Sequence, residues 1–259
     1  MIRKYGDPPF KVAVLHGGPG APGYMAPVAR ELGKTVGVIE PIQTRHSVGG
    51  QIDELIGQLS AHAAIPVTLI GSSWGAVLAL FAAARGEINI GRLVLIGCAV
   101  FDARSSADIE ILRLERLAPN KRRRYNELLE TMESAEGEMA HRLMEEWGSI
   151  LFDTDVYDSI TRDLEIIEVQ RDIFEKVWGE FVTLRDRPGY LLAEFSKIDI
   201  PVVVIHGEYD PHPINGIRPF LQNCMTKISF HILPECGHYP WIERRAGGRF
   251  YEILKSEII

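Results

Sequence analysis

The sequence predicts an α/β fold, with helices on both faces of a mostly parallel sheet of about six strands. Short apolar runs recur along the chain, and each is closed by glycine or by a polar turn. These runs do not alternate apolar and polar residues, which is typical of strands that are buried on both faces of a sheet. Helical patterns separate most of the runs, and the repeated order of strand, helix and strand favours parallel pairing.

The predicted elements follow one another along the chain. The strands lie at 11–18, 35–40, 66–73, 92–98, 201–208 and 228–235. The helices lie at about 22–33, 51–63, 74–86, 213–222 and 240–257.

The alternation of strand and helix stops between residues 101 and 195, where helical periodicity and many charges replace the strands. We therefore predict one sheet domain, formed by residues 1–100 and 196–259, with a helical cap inserted at 101–195. No low-complexity linker flanks this insertion, so we expect it to pack on the sheet domain. The basic run at 121–124 lies among acidic residues and is interpreted as a solvated helix start.

Composition and charge exclude several classes of protein. Hydrophobic residues make up 46% of the 259 residues, enough to bury a sizeable core. The 28 Lys and Arg residues against 35 Asp and Glu give a net charge of −7, the wrong sign for nucleic-acid binding. Three scattered cysteines form neither a zinc set nor a disulfide framework, which favours a reducing, cytoplasmic setting and no metal. No segment has the pattern of a signal peptide or a membrane span, so we expect a soluble protein without a membrane partner.

The most informative segment is the apolar strand that ends at Gly71, together with the turn and helix after it. Gly71 to Gly75 spells G-x-S-x-G in the context of strand, turn and helix that this nucleophile motif requires. Glycine is needed at both ends because a Cβ would clash in so tight a turn. The motif predicts Ser73 as a nucleophile. It also aims the backbone N–H of Trp74 at a substrate oxygen that gains negative charge.

A serine nucleophile needs a base, and the base needs an orienting acid. Asp210 follows the strand at 201–208, and His238 follows the strand at 228–235. The order Ser, Asp, His is the one that this motif leads us to expect, and an open parallel sheet gathers its site at the carboxyl ends of its strands. We therefore predict that Ser73, Asp210 and His238 form a catalytic triad.

Other residues compete for these two roles. Glu208 is the nearest alternative acid, and His206 or His212 could replace His238 as the base. His206 stands at a strand end, which is more typical of a core-edge histidine with a satisfied hydrogen bond.

The glycine-rich loop at 16–20, with the sequence HGGPG, follows the first strand. Its glycines let the backbone approach a ligand and leave an N–H free, as a second donor to an oxyanion requires. We assign Gly18 to that role, with Gly17 as the less favoured alternative.

The same loop also fits a dinucleotide-binding pattern. Gly18, Gly20 and Gly23 form G-x-G-x-x-G after a strand, and Glu40 ends the next strand, as a ribose-binding acid does. Two prolines inside the loop remove N–H groups from such a phosphate cradle, and the predicted triad would have no role. Dinucleotide binding is therefore kept as a less favoured alternative.

With these motifs together, the chain resembles the α/β-hydrolase superfamily, and HGGPG with GSSWG resembles its proline iminopeptidase branch. The resemblance implies Ser73 as the nucleophile, His238 as general base and acid, and Asp210 as the orienting partner of His238. It implies the backbone N–H groups of Gly18 and Trp74 as the oxyanion hole. It also implies that no cofactor is needed.

The chain departs from that branch in two places. A D-Q-R-G-like segment usually follows the strand after HGGPG, whereas this chain reads EPIQTR at 40–45. The type of activity, esterase or aminopeptidase, is therefore left open. Only about ten residues precede the first strand, so we expect the antiparallel N-terminal hairpin to be reduced.

The predicted function is a serine hydrolase that cleaves a small ester, amide or short peptide through an acyl-enzyme. A non-catalytic small-molecule receptor or scaffold on the same fold is the alternative from a different class. The predicted partner is a small-molecule substrate, and the oligomeric state stays open. Candidate substrate-binding residues are Gln43 with its neighbour Thr44, the tryptophans Trp147 and Trp178, and, for a free amine, Glu145, Glu146 and Glu180.

Overall fold

The computed structural model describes residues 1–132 and 134–258. Within these residues seven strands form one sheet in the order β1-β3-β2-β4-β5-β6-β7, and all neighbours are parallel except β1 and β3. The strands are β1 (Ile2–Tyr5), β2 (Phe10–Leu15), β3 (Gly37–Pro41), β4 (Val67–Ser72), β5 (Ile90–Ile96), β6 (Val202–Gly207) and β7 (Ile228–Leu233). The predicted α/β fold with a mostly parallel sheet is confirmed.

The strand count was one too low, because β1 was not predicted. This strand has four residues, IRKY, which lie at the sheet edge and contain no apolar run. It pairs antiparallel with β3 rather than forming a hairpin with β2. Its side chains Arg3 and Tyr5 both donate to the fully buried Glu40, with 2.8 Å hydrogen bonds from Arg3 Nε and the Tyr5 hydroxyl. Glu40 is therefore occupied inside the sheet and is not placed as a ribose-binding acid.

Both faces of the central strands are buried, which explains their continuous apolar runs. In β2 the side chains of Ala13 and Leu15 join one core, with Leu55 and Leu59 of the helix Val48–His62 and Leu78 of the helix Trp74–Arg85. Val12 and Val14 join the opposite core, which contains side chains of the helices Ala26–Leu32 and Gly247–Ser256. The helices in the described residues are α1 (Ala26–Leu32), α2 (Val48–His62), α3 (Trp74–Arg85), α4 (Ala103–Arg116), α5 (Pro119–Met132), α6 (Gly137–Asp155), α7 (Arg171–Asp186), α8 (Tyr190–Phe195), α9 (Arg218–Cys224) and α10 (Gly247–Ser256).

Helices α4 to α8 lie between β5 and β6, in the segment at 101–195, which is called the helical insertion below. Around α5 and α6 the insertion has a small core of its own, formed by Leu117, Tyr125, Leu128, Leu143 and Ile150. Helices α7 and α8 instead bury Val177, Phe181 and Phe195 in the core of the sheet. The insertion therefore packs on the sheet mainly through its last two helices, and Ile109 of α4 and Phe152 of α6 also join the cores of the sheet. Among the described helices, none has both the length and the apolar character of a membrane span.

Candidate active site

Ser73 lies in a strained turn between β4 and α3, with φ 54° and ψ −118°. Positive φ is uncommon for a residue with a side chain and is characteristic of the nucleophile turn. A Cβ added at Gly71 would lie 2.2 Å from the carbonyl oxygen of Gly75, and one at Gly75 would lie 2.3 Å from that of Leu15. The close approach of strand and helix thus requires both glycines, and it leaves the half-buried Ser73 at the carboxyl edge of the sheet.

Asp210 and His238 come together at the same edge. His238 Nδ1 donates to Asp210 Oδ2 at 2.7 Å, and both residues are buried. The backbone N–H of His238 donates to the carbonyl oxygen of Asp155, at the end of α6, at 2.7 Å. These two bonds fix the orientation and the tautomer of the ring, so Nε2 of His238 is left free to accept a proton.

A second histidine shares the same carboxylate. His212 donates to Asp210 Oδ1 from its ring Nδ1 at 2.8 Å and from its backbone N–H at 2.9 Å. Its ring stacks on that of His238 with 4.5 Å between centroids and 23° between planes. The carboxylate therefore accepts three hydrogen bonds, and its plane is held from two sides.

The geometry places His206, an alternative base, and Glu208, the alternative acid, away from these roles. His206 Nε2 is 2.9 Å from the carbonyl oxygen of His212, so this ring is a hydrogen-bonded core residue. Glu208, the alternative acid, is exposed and makes no side-chain contact with a histidine among the described residues.

Electrostatics distinguishes the two histidines that bind Asp210. Burial favours the neutral ring of His238, but the Asp210 carboxylate outweighs burial and raises the pKa of His238 above its ordinary value. Burial dominates at His212, whose pKa is lowered. Burial alone would raise the pKa of Asp210, but His238 and His212 hold it well below the ordinary value of a carboxyl. His238 is thus the ring best suited to hold a proton during a reaction.

Ser73, His212 and His238 all line one cavity of about 690 Å³. No hydrogen bond joins the Ser73 hydroxyl to either ring within the described residues. Such contacts are often long in ligand-free sites and shorten when substrate is bound. A cavity of this size accommodates a drug-sized small molecule.

The two backbone N–H groups that were predicted to hold an oxyanion belong to Trp74 and Gly18. Trp74 is the first residue of α3, so its N–H has no acceptor within the helix. Gly18 lies in the loop after β2 at φ 110° and lines the cavity. Neither N–H has a backbone acceptor within residues 1–132 and 134–258. A Cβ at Gly17 would lie 2.9 Å from that of Ser73, so Gly17 packs directly against the predicted nucleophile.

Comparison with known proteins places this fold and site in a family. Residues 12–250 match the family model described as Alpha/beta hydrolase family. The chain belongs to the alpha/beta hydrolase family. The comparison with curated protein sequences gives no significant match.

Three similar solved structures illustrate the range of this alpha/beta hydrolase fold. VinJ is 21% identical, with a TM-score of 0.71 over 99% of this chain and 93% of its own. Proline iminopeptidase of Mycobacterium smegmatis is 19% identical, with a TM-score of 0.64 and coverages of 99% and 93%. The thioesterase domain from the curacin biosynthetic pathway is 16% identical, with a TM-score of 0.61 and coverages of 98% and 94%. At these identities the likeness shows the fold.

The remaining site predictions for this alpha/beta hydrolase have different outcomes. Trp147 on α6 and Trp178 on α7 both line the cavity. Gln43 does not, and the prediction that it faces the site is wrong. It is fully buried because its side-chain amide turns back to donate to the carbonyl oxygen of Pro41 at 3.1 Å. Its backbone N–H points at His16 Nε2, 3.4 Å away, and helps to hold the glycine-rich loop.

The carboxylates considered as amine ligands are mostly engaged elsewhere. Glu146 forms an ion pair with Arg124, with Nη2 and Oε2 2.7 Å apart. Glu180 accepts the backbone N–H of Val48 at 2.7 Å. Only Glu145, of these three residues, lines the cavity.

An ion pair on the cavity wall, between Arg113 and Asp155, was not predicted. Arg113 on α4 donates from Nε to Asp155 Oδ1 at 2.8 Å, and Nη2 contacts Oδ2 at 2.5 Å. Asp155 also supplies the carbonyl oxygen that accepts the backbone N–H of His238, so the ion pair is linked directly to the loop that carries this histidine. Neither residue belongs to a sequence motif, and they are 42 positions apart.

A buried carboxylate clamps the same loop from its other side. Glu243 accepts backbone N–H groups from Gly237 at 2.8 Å, Tyr157 at 2.8 Å and Asp158 at 2.7 Å. Tyr157 and Asp158 follow α6, whereas Gly237 precedes His238. Glu243 therefore joins the insertion to the loop that carries the histidine, and it has no signal in the sequence.

Asp210, His212 and His238 also form a group of the type that holds metal ions. The carboxylate oxygens lie 2.7 and 2.8 Å from the ring nitrogens. Nitrogen and oxygen ligands at about 2.0–2.1 Å from a tetrahedral ion are themselves about 3.3 Å apart. The spacing is therefore that of hydrogen bonds and too short for a shared ion.

Proposed function

We propose that the protein is a serine hydrolase that cleaves a small ester, amide or short peptide through an acyl-enzyme. The observation that carries this proposal is the 2.7 Å hydrogen bond between His238 and Asp210, together with the cavity that His238 and Ser73 both line. A nucleophile, a base and an orienting acid then have distinct side chains. The helical insertion is proposed to act as a cap over this site.

In the acylation step, Ser73 Oγ attacks the substrate carbonyl carbon and its proton passes to Nε2 of His238. Asp210 stabilises the imidazolium that forms, which agrees with the raised pKa of His238. The carbonyl oxygen becomes an oxyanion and accepts the N–H groups of Trp74 and Gly18. One such donor contributes roughly 3–4 kcal/mol to transition-state stabilisation in comparable sites. The leaving group then departs with the proton from His238.

In the deacylation step, a water molecule takes the place of the leaving group. His238 Nε2 removes one proton from it while the oxygen attacks the acyl carbon. The second tetrahedral intermediate is held by the same two N–H groups. When it collapses, the carboxylic acid leaves and Ser73 Oγ recovers its proton from His238.

The cavity wall favours an ester with an apolar acyl group over an amino-terminal residue. The aromatic side chains of Trp147, Phe174 and Trp178 line it. Glu145 and Asp163 are exposed carboxylates on the same wall, and the buried carboxylate of Asp155 is already paired with Arg113. A charged amine would therefore find only solvated partners.

A substrate panel tests the proposal. Hydrolysis of p-nitrophenyl butyrate and hexanoate is compared with that of alanine and proline p-nitroanilides, using wild type and Ser73→Ala. We expect turnover of the esters, slower or no turnover of the anilides, and loss of turnover in Ser73→Ala. Near-identical unfolding curves of the two proteins would assign the loss to chemistry. Ester turnover that survives in Ser73→Ala, or a folded wild type that hydrolyses none of the panel, would contradict the proposal.

A further inference from the structure

Arg113 has a place in the cavity wall that its ion pair does not fully explain. Its Nε and Nη2 bind the two oxygens of Asp155. Its Nη1 makes no hydrogen bond to any described residue. The side chain is 18% exposed, and the residue lines the cavity that Ser73 and His238 share.

A guanidinium group has donors on all three of its nitrogens. Nη1 of Arg113 is not among the fully buried unpaired atoms of the described residues, so it keeps some exposure on the cavity side of the ion pair. The two nitrogens of the fork are paired with Asp155, which fixes the plane of the group. The third nitrogen therefore remains a charged, preoriented donor beside the triad. Its natural partner is an oxygen of whatever occupies the cavity.

Charge around the cavity decides which kind of oxygen fits. Asp155 is almost completely buried and offsets the charge of Arg113. The other cation on the wall, Arg162, is paired with Asp153, and two further carboxylates, Glu145 and Asp163, line the same space. A substrate carboxylate would meet a wall with no excess positive charge, so a neutral oxygen is favoured.

The rest of the wall indicates what accompanies that oxygen. Phe174 stacks on Trp178 with 6.4 Å between ring centroids and 8° between planes. Trp147 meets Phe174 edge to face at 6.2 Å. These rings line the cavity and offer a flat apolar surface to an aryl or alkyl group.

We propose that the substrate carries, in its acyl part, an aryl or alkyl group and a neutral carbonyl oxygen that binds Nη1 of Arg113. This assignment rests on the proposed hydrolase function and adds a substrate class to it. The oxygen is a second anchor, separate from the scissile carbonyl, so it sets the register of the acyl chain along the cavity.

The test uses p-nitrophenyl 6-phenylhexanoate and its oxo derivatives with the ketone at carbon 4, 5 or 6. The kcat/KM of each ketone is divided by that of the parent ester after correction for uncatalysed hydrolysis. We expect at least one ketone to exceed the parent by about tenfold or more, as a hydrogen bond to a charged donor predicts. A glutarate mono-p-nitrophenyl ester, which carries a carboxylate, should show no such preference.

Variants then assign the preference to Arg113. Arg113→Lys keeps the charge beside Asp155 but lacks the fork that leaves a third donor free, so the ketone-to-parent ratio should fall towards one. The double variant Arg113→Met/Asp155→Leu removes the ion pair without leaving a buried charge, and its ratio should also be near one. The matched control is Arg116→Lys on the same helix, since Arg116 binds the Thr154 carbonyl outside the cavity. Its ratio should match wild type.

Two results would overturn the assignment while leaving the hydrolase intact. One is a parent ester that is hydrolysed as fast as every ketone. The other is a ketone preference that survives in both Arg113 variants. A preference for the carboxylate ester would overturn the neutral class. If no ester is hydrolysed by the folded protein, the proposed function fails, and this substrate assignment fails with it.

Discussion

A methyl group added at Gly97 should separate His238 from Asp210, the proposed base and its orienting acid. Gly97 follows β5 at φ 48°, and a Cβ built there lies 2.9 Å from His238 Nδ1 and 3.1 Å from Asp210 Oδ2. Ordinary contacts of this kind begin at about 3.4 Å, so the ring must move by about 0.5 Å and the carboxylate by about 0.3 Å. Gly97→Ala thus acts directly on the hydrogen bond between His238 and Asp210.

The structure sets the magnitude of this effect. A misplacement of 1 Å costs about a hundredfold in rate, so we expect kcat of Gly97→Ala to fall about ten- to a hundredfold. Overpacking adds about 1–3 kcal/mol to the roughly 1–2 kcal/mol that an alanine loses at positive φ. The free energy of unfolding should therefore fall by about 2–5 kcal/mol.

A second glycine provides the matched control. Gly86 ends α3 at φ 67°, and no atom lies within 4 Å of a Cβ built there. Gly86→Ala has the same backbone strain without the contact, so it should lose about 1–2 kcal/mol of stability and keep its kcat. Steady-state hydrolysis of p-nitrophenyl butyrate and urea unfolding measure both quantities. Equal kcat values for Gly97→Ala, Gly86→Ala and wild type would refute the reasoning.

Three further predictions concern Asp210, its partner His212, and Glu243, which binds the loop that carries His238. Because Asp210 raises the pKa of His238, the acidic limb of the kcat/KM profile should lie above pH 6.5, and kcat/KM should fall as pH drops through it. Asp210→Asn should shift that acidic limb to lower pH and reduce kcat by about 10⁴-fold. His212→Leu removes the ring donor to Asp210, so the carboxylate should stabilise the His238 imidazolium more strongly and the acidic limb should move to higher pH. An unchanged limb would show that the His212 ring only packs against the site. Glu243→Gln places an amide against backbone N–H donors and should cost about 1–3 kcal/mol in urea unfolding and lower kcat. Glu235→Gln is its control, because this partly exposed carboxylate forms a surface ion pair with Arg245, and it should leave the stability close to that of wild type. Equal losses in the two variants would contradict the clamp.

The sequence predicted the parts of this molecule whose signals are local. Strands β2 to β6 are buried on both faces over most of their length, so each has an apolar run that can be recognised without its neighbours. The edge strand β7 is only partly buried, but it also has enough apolar residues to be recognised. Ser73 has a motif, and Asp210 and His238 each follow a strand in the expected order. The short edge strand β1 was missed because two of its four residues are charged and it contains no apolar run.

Residues that act by joining distant segments could not be predicted. Glu243 binds backbone groups 85 and 86 positions away, and Arg113 meets Asp155 across 42 positions. The role of each exists only after the insertion has packed against the histidine loop. Gln43 shows the opposite error, since its position after β3 suggested the cavity while its side chain folds back on the strand end.

Covalent labelling tests the central claim, that Ser73 is the nucleophile, most directly. The folded protein is incubated with diisopropyl fluorophosphate, and the intact mass and a peptide map are measured for wild type, Ser73→Ala and His238→Ala. We expect one diisopropylphosphoryl group on the peptide that contains Ser73, none in Ser73→Ala, and much slower labelling in His238→Ala. A folded wild type that stays unmodified, or that carries the group on another residue while Ser73 is free, would contradict the account.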